Sequence, residues 1–133
     1  MNKILTLTDT QTAAHYYAQN LWQSETLYLL MRRNADVTPN AFALSDPHKR
    51  MTWAETALWV DSVASSLKDA GLTTGDRVSI WLPNRIEGII VFLACSRNGY
   101  ICNTSLHQNY TAAEIVTLLE SIKSKAVFYQ VGY

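Results

Sequence analysis

Residues 77–103 read RVSIWLPNRIEGIIVFLACSRNGYICN, and they set the fold class of the chain. The stretch opens with Arg77–Leu82, a run of strand formers without a helical period, and Pro83 predicts that the strand stops there. The quartet Asn84–Glu87 has the pattern of a capping box, in which an N-cap side chain and an acid three residues later satisfy free backbone groups. The segment therefore predicts a strand that is followed at once by a helix.

The same alternation continues to the end of the chain. Asn98-Gly99 predicts the end of the helix over 85–97, because glycine adopts the left-handed conformation that closes a helix. A short strand is predicted at Tyr100–Asn103, a helix from a second capping box at Thr111–Glu114, and a last strand at Ala126–Val131. Strands that alternate with helices indicate parallel pairing through crossover helices. We therefore predict an α/β fold, a doubly wound and mostly parallel sheet flanked by helices.

The first half of the chain predicts a small helical segment and a hairpin in front of this sheet. A third capping box, Thr52–Glu55, predicts a helix that ends near Ala70, where Gly71 can close it. The remaining predicted elements are a short helix beginning at Thr8–Gln11, a helix capped by Ser24 that ends before Pro39, and a hairpin of Ala41–Ser45 with Arg50–Thr52.

The composition fits one folded domain without an electrostatic preference for a partner. Of 133 residues, 48% are apolar and 17% charged, and 11 Lys and Arg balance 11 Asp and Glu. The high apolar and low charged shares exclude disorder. The balanced charges give no indication of nucleic acid or an anionic membrane as partner. The longest uncharged apolar run, Gly88–Ser96, is far shorter than the roughly 20 residues that span a bilayer, and the first residues lack a secretory signal pattern. We therefore expect a cytoplasmic protein in which Cys95 and Cys102 are buried free thiols.

The predicted strand ends, where open α/β sheets bind ligands, carry no known catalytic motif. No glycine-rich phosphate loop and no G-x-S-x-G nucleophile motif follows a strand. The titratable side chains do not indicate a site either, since the histidines lack metal-ligand spacing and the glutamates are capping-box acids. These side chains are His15, His48, His107, Glu55, Glu87 and Glu114. From the residues alone we expect an α/β domain without a catalytic or metal-ligating residue.

Six stretches of sequence, taken in order, carry a resemblance to a known family. They are ETLYLLMRRN at 25–34, TPNAFAL at 38–44, MTWAE at 51–55, GLTTGDRVSIWLPN at 71–84, FLACSRNGY at 92–100 and YTAAEI at 110–115. Together they resemble the N-terminal region of the AMP-forming (adenylate-forming) acyl-CoA synthetases. Each stretch alone is a common pattern of caps, glycines and apolar runs, but their order over about four-fifths of the chain is specific.

The resemblance implies that the parent protein is a ligase. Such an enzyme activates a carboxylic acid with ATP and Mg²⁺ to an acyl-adenylate and transfers the acyl group to coenzyme A. The stretch 93–114 is similar to ligases of alicyclic or medium-chain acids, such as cyclohexanecarboxylate-CoA ligase, although Thr104 stands where the family commonly has proline. Because family members are several times longer, the resemblance implies that 24–133 is a truncated N-terminal subdomain after an extension over 1–23. This piece is then expected to be inactive alone and to bind no nucleotide.

The resemblance also implies one pair of ligand-binding residues. In related ligases the loop over 105–108 lies near the path of coenzyme A, so His107 and Gln108 are expected near that substrate. The alternative is a solvated loop before the N-cap residue Thr111. Arg85, at the other strand end, is expected on a solvated face at the start of a helix.

A second interpretation stays open at this point. The chain could be an autonomous flavodoxin-like domain that binds a small molecule or a protein through backbone groups. An excised piece should leave an unpaired sheet edge and exposed apolar surface, whereas an autonomous domain should not. The helix over 85–97 is apolar almost all round, which predicts a second covering layer that is missing from this chain. We therefore expect self-association that hides this surface.

Overall fold

The chain folds into five helices and five strands over its described residues. The computed structural model describes residues 9–104, 106 and 109–132. In chain order the elements are α1 (Thr10–Ala18), α2 (Leu27–Val37), β1 (Phe42–Ser45), β2 (Arg50–Thr52), α3 (Trp53–Asp69), β3 (Arg77–Trp81), α4 (Ile86–Asn98), β4 (Ile101–Asn103), α5 (Ala112–Ser121) and β5 (Ser124–Tyr129). This order confirms the predicted succession of elements. None of the described helices is long and apolar enough to cross a membrane.

A three-stranded parallel sheet with the order β4-β3-β5 forms the centre of the fold. Val78 in β3 lies opposite Cys102 in β4 and opposite Ala126 in β5. The chain crosses from β3 to one neighbour and then over to the other, so right-handed crossovers place α4 and α5 on opposite faces of the sheet. This confirms the doubly wound parallel α/β prediction. The predicted hairpin is also present, as an antiparallel pair of β1 and β2.

Helix α4 is buried on two sides. Toward the sheet, Val91 and Cys95 belong to one apolar cluster with residues of β3. On its other side, Ile90 packs with Met31 of α2 and Val60 of α3. The prediction of a helix between two layers is confirmed. The expectation that the second layer is missing is wrong, because α2 and α3 supply it.

Two predicted capping boxes are present, at the starts of α3 and α5. The Thr52 N–H donates to Glu55 Oε2 at 2.8 Å, and the Glu55 N–H donates to Thr52 Oγ1 at 3.3 Å. Thr111 and Glu114 make the same two bonds at 2.8 and 3.3 Å. The threonine backbone N–H is the main cause that lowers the pKa of each glutamate, because a donor stabilises the carboxylate.

Helices α1 and α2 begin at other caps than those predicted. Asp9 caps α1, where its Oδ1 accepts two first-turn N–H bonds at 2.8 and 3.2 Å, while Thr8 lies outside the described residues. Thr26 caps α2, where its Oγ1 accepts from the Leu29 N–H at 3.2 Å. The predicted cap Ser24 is wrong because it lies two residues too early to reach the first free N–H groups of the helix.

The predicted capping box at the start of α4 is also wrong. Arg85 is the N-cap residue and makes no side-chain capping bond, and Glu87 pairs with the Arg85 guanidinium instead. The Ile86 N–H donates to Asp46 Oδ2 at 3.3 Å. A carboxylate from the hairpin loop thus has the capping role that the local pattern gave to Asn84.

Gly99 ends α4 as predicted and turns the chain into β4. Its φ of +70° lies in the left-handed region, and the Tyr100 N–H donates to the Cys95 carbonyl at 3.0 Å. Thr74 contacts the turn, because its Oγ1 donates to the Asn98 carbonyl at 3.1 Å. The position of β4 therefore depends on this turn.

The apolar face of α5 is only partly covered. Ile115 is its one buried residue, whereas Val116 is 54% exposed and Tyr129 in β5 is 59% exposed. Within the described residues, β4 and β5 each have a sheet neighbour on one side only. At the β5 edge, the described residues therefore present apolar side chains next to a strand with no sheet neighbour on its outer side.

Candidate functional site

A cleft, which we call the strand-end cleft, lies at the carboxyl ends of β3 and β4. Its volume is about 350 Å³, and its lining includes Leu82, Arg85, Gly88, Ile89, Phe92 and Thr104. The first two of these residues follow β3, the next three belong to α4, and the last follows β4. Open α/β sheets bind ligands at this edge, and small-molecule sites have volumes of about 300–1,000 Å³. The strand-end cleft is therefore the candidate site.

Arg85 is the one charged residue among the described residues that line the cleft, and it lies between two carboxylates. Its Nε lies 3.6 Å from Asp46 Oδ2, and its Nη2 lies 3.2 Å from Glu87 Oε1. The expectation of a solvated Arg85 is wrong, because its side chain is only 31% exposed and its partner Asp46 only 6%. The formal charges of the three groups sum to −1, so the guanidinium is already compensated. Its buried Nε makes no hydrogen bond to a described residue.

Asp46 connects the hairpin to α4. Its Oδ1 accepts from the N–H groups of His48 and Lys49 at 2.8 and 2.9 Å, and its Oδ2 accepts from the Ile86 N–H. These hydrogen bonds lower the pKa of Asp46, and the bond from His48 has the largest effect. The positive charge of Arg85 lowers it further. Asp46 is therefore ionised at neutral pH and positions the helix start that carries Arg85.

Sequence reasoning missed the role of Asp46. The Asp46-Pro47-His48 order signals a turn, and an aspartate that accepts from the N–H two residues later is a local pattern. The bond to Ile86 is not local, since 40 residues separate donor and acceptor. The local signal could therefore have found the turn but not the contact.

The cleft can bind an apolar group, but its described lining has few side chains that could take part in catalysis. A second cavity of about 240 Å³ adjoins it, because Asn84, Arg85 and Ile89 line both. No histidine, cysteine or carboxylate lines the strand-end cleft among the described residues. Within the same part of the chain, no three His, Cys, Asp or Glu side chains group as a metal site requires. The arrangement therefore offers binding surface rather than a general base or a metal ligand set.

The residues predicted near coenzyme A, His107 and Gln108, lie outside the described residues. Thr104, which precedes their loop, lines the strand-end cleft. The other two histidines do not line it: His15 is on α1, and His48 is in the hairpin loop. The assignment of His107 and Gln108 stays a prediction.

A larger, polar cleft lies where β3 and β5 begin. Its volume is about 630 Å³, and Asp76, Arg77, Lys123 and Lys125 are in its lining. The pKa of Asp76 is lowered chiefly by the N–H of Thr73, which donates at 2.8 Å. Because open α/β sheets bind their ligands at the opposite ends of the strands, this cleft is not the candidate site.

Known proteins resemble this chain in sequence. The family model described as AMP-binding enzyme matches residues 31–132. The mitochondrial medium-chain acyl-CoA ligase ACSF2 of Macaca fascicularis is 32% identical over 108 residues, which cover 80% of this chain and 17% of that protein. The medium-chain fatty-acid–CoA ligase of Escherichia coli (strain K12) is 30% identical over 132 residues, which cover 96% of this chain and 23% of that protein.

Known structures resemble it in fold. The apo structure of MbtA from Mycobacterium smegmatis matches with a TM-score of 0.81 and 27% identity, over 92% of this chain and 23% of that one. The chain thus spans about a fifth of the length of the curated relatives it matches. The family match begins within α2 and continues past β5, so it includes the whole sheet and the strand-end cleft. This chain therefore belongs to the AMP-binding enzyme family.

Proposed function

We propose that this chain is the amino-terminal scaffold of an ATP-dependent, AMP-forming ligase that joins a medium-chain or alicyclic carboxylic acid to coenzyme A. The observation that carries the proposal is the family match over 31–132, supported by relatives that are named medium-chain ligases. In the proposed reaction the acid and ATP give an acyl-adenylate and pyrophosphate. The thiol of coenzyme A then displaces AMP and forms the thioester.

The described residues support a scaffold role within that enzyme. The strand-end cleft is lined largely by apolar side chains, and its guanidinium is paired with carboxylates, so it suits an uncharged part of a substrate. The proposed reaction also uses Mg²⁺, but the described residues do not form a ligand set for a metal. We therefore assign neither Mg²⁺ coordination nor a catalytic step to them.

Calorimetric titration and a product assay test this function. The chain, and any longer form that continues past Tyr133, are titrated with Mg-ATP, octanoate, cyclohexanecarboxylate and coenzyme A, and acyl-CoA is measured. We expect ATP binding and acyl-CoA formation only in the longer form. A longer form that converts neither acid would refute the substrate class.

The same titration distinguishes the autonomous flavodoxin-like interpretation. If the chain alone binds a nucleotide, the scaffold assignment is wrong and the autonomous interpretation replaces it. The family match favours the ligase, because it includes every strand of the parallel sheet.

We further propose that His107 and Gln108 lie beside coenzyme A. The support is that their loop follows Thr104, which lines the strand-end cleft. In an active longer form, His107→Ala and Gln108→Ala should raise the KM for coenzyme A and leave the KM for ATP and acid unchanged. His48→Ala is the matched control and should change none of these values. An equal effect on all three substrates would indicate a structural role and refute the proposal.

Three further assignments complete the proposal. We place the enzyme in the cytoplasm, in agreement with its two free cysteines. The division into an extension over 1–23 and a subdomain over 24–133 predicts that limited proteolysis first cuts the exposed segment between α1 and α2. Self-association through the partly covered α5 and β5 surface predicts a sedimentation coefficient that rises with concentration, and a strictly monomeric profile would contradict it.

A further inference from the structure

Gly88, in the first turn of α4, lines the strand-end cleft and is not required there by the backbone or by packing. The other four glycines of the chain have a positive φ, whereas Gly88 does not. Apart from the backbone of its own helix, the nearest atom to an added Cβ would be Ile80 Cγ2 at 4.0 Å, an ordinary contact distance. Alanine would therefore fit at this position, and it is a better helix former than glycine.

Gly88 lies at the inner end of the strand-end cleft. Ile80, which an added Cβ would contact, is 6% exposed, whereas Ile89 is 46% exposed, and both residues line the cleft. The cleft therefore extends inward from Ile89 to Ile80. Arg85 and Phe92, which also line it, are three residues before and four residues after Gly88, on the same face of α4. A larger side chain at this position would therefore occupy the inner end of the cleft.

The open space fits a hydrocarbon group of moderate size. The volume of the cleft is about 350 Å³, whereas an apolar cavity of about 150 Å³ is enough to hold benzene. The apolar residues of the lining are Ile80, Leu82, Pro83, Ile89 and Phe92. Such a lining binds a hydrocarbon group through the apolar area that it buries, and the available volume limits how large that group can be.

We propose that Gly88 determines the bulk of the acyl group that the ligase accepts. Because Gly88 has no side chain, the inner end of the strand-end cleft is open to a cyclohexyl ring or a medium-length alkyl chain. This inference rests on the proposed function, since it assigns the cleft to the hydrocarbon part of the carboxylic acid. Gly88 is then a specificity-determining residue that contacts this hydrocarbon part and takes no part in either chemical step.

Methyl NMR spectra of the folded chain test the proposal without catalysis. The chain, with isotope-labelled isoleucine methyl groups, is titrated with cyclohexanecarboxylate and with octanoate. We expect the methyl signals of Ile80 and Ile89 to shift saturably at millimolar acid, because both side chains line the cleft. Ile115, which is buried on α5 and does not line the cleft, is the internal control, and its signal should not shift.

Variants of Gly88 test whether the missing side chain is what opens the cleft. Gly88→Ala adds one methyl group at contact distance and should bind both acids nearly as the wild type does. Gly88→Leu fills the inner end and should weaken binding at least about tenfold. Ser65→Leu is the matched control, because it adds the same side chain at an exposed position of α3 away from the cleft, and it should bind as the wild type does. If Gly88→Leu does not fold, Gly88→Val and the wild-type titration decide.

An active longer form gives the second measurement. There, Gly88→Leu should lower kcat/KM for both acids about tenfold and leave the KM for ATP and coenzyme A unchanged. The inference is overturned if the Ile80 and Ile89 signals of the wild type do not shift saturably, or if Gly88→Leu binds or converts the acids as well as the wild type. A longer form that is inactive with both acids refutes the proposed function instead, and the NMR titration distinguishes the two failures because it needs no catalysis.

Discussion

Replacement of Gly99 by alanine is the sharpest test of the turn that connects α4 to β4. Gly99 has φ +70°, a conformation that is unfavourable for an L-residue by about 1–2 kcal/mol. An added Cβ would also lie 2.9 Å from Thr74 Cγ2, closer than ordinary contact, and such overpacking costs about 1–3 kcal/mol. We therefore expect Gly99→Ala to lower the free energy of unfolding by about 2–5 kcal/mol. Urea unfolding followed by tryptophan fluorescence and far-UV circular dichroism measures this change.

Two matched changes separate the backbone effect from the steric one. Gly71 has φ +89° with no atom within 4 Å of an added Cβ, so Gly71→Ala should cost only the backbone part, about 1–2 kcal/mol. Thr74→Ser removes the clashing methyl group but keeps the hydroxyl that donates to the Asn98 carbonyl. In the Thr74→Ser background, Gly99→Ala should therefore cost no more than Gly71→Ala. Equal losses for the two glycine variants without rescue by Thr74→Ser would refute the contact.

Other predictions concern the core, a cap and a carboxylate. Ile90→Ala should lower the free energy of unfolding by about 3–4 kcal/mol, and Ile89→Ala by less than half of that, because these side chains are 1% and 46% exposed. Equal shifts of the urea midpoint for the two variants would show that the assigned buried face of α4 is wrong. Thr111→Ala should remove about 1 kcal/mol from α5 and accelerate amide exchange in its first turn, and unchanged protection would contradict the capping box. The His48 N–H is the main cause that lowers the pKa of Asp46 below its ordinary value of 3.8. The ionised carboxylate therefore stabilises the fold fully above pH 3.8, and this stabilisation is lost as the pH falls through the pKa that Asp46 has in the folded state. Asp46→Asn should lower the urea midpoint at neutral pH and weaken its acid dependence below about pH 4, and a parallel acid limb would count against this role.

The sequence predicted the elements whose determinants are close together in the chain. The boxes at Thr52 and Thr111 pair groups three residues apart, and each helix starts where its box predicts. Gly99 was identifiable for the same reason, since its conformation depends on the residue itself and on its immediate neighbours. The parallel order of strands also followed from the alternation of elements, because few topologies fit such a succession.

The sequence failed where the partner is distant. Asn84 and Glu87 have the spacing of a capping box, but Asp46 reaches the Ile86 N–H and Arg85 takes up Glu87. The covering of α4 by α2 was equally invisible, because both helices were recognisable but nothing local said that they pack together. Arg85, which lines the candidate site, is held by the distant residue Asp46, so its surroundings could not be predicted from the neighbouring sequence.

The charges around Arg85 indicate which part of a substrate the strand-end cleft would bind in the proposed ligase. Arg85 Nη2 donates to Glu87 Oε1, Arg85 Nε forms an ion pair with Asp46 at 3.6 Å, and the three groups together have a formal charge of −1. The formal charge at this rim therefore favours an acyl chain or another uncharged group, which would meet Leu82, Ile89 and Phe92, over an anionic phosphate. Under the proposed function, we expect this chain to hold the apolar edge of the sheet in place through the Asp46 contact and the turn at Gly99.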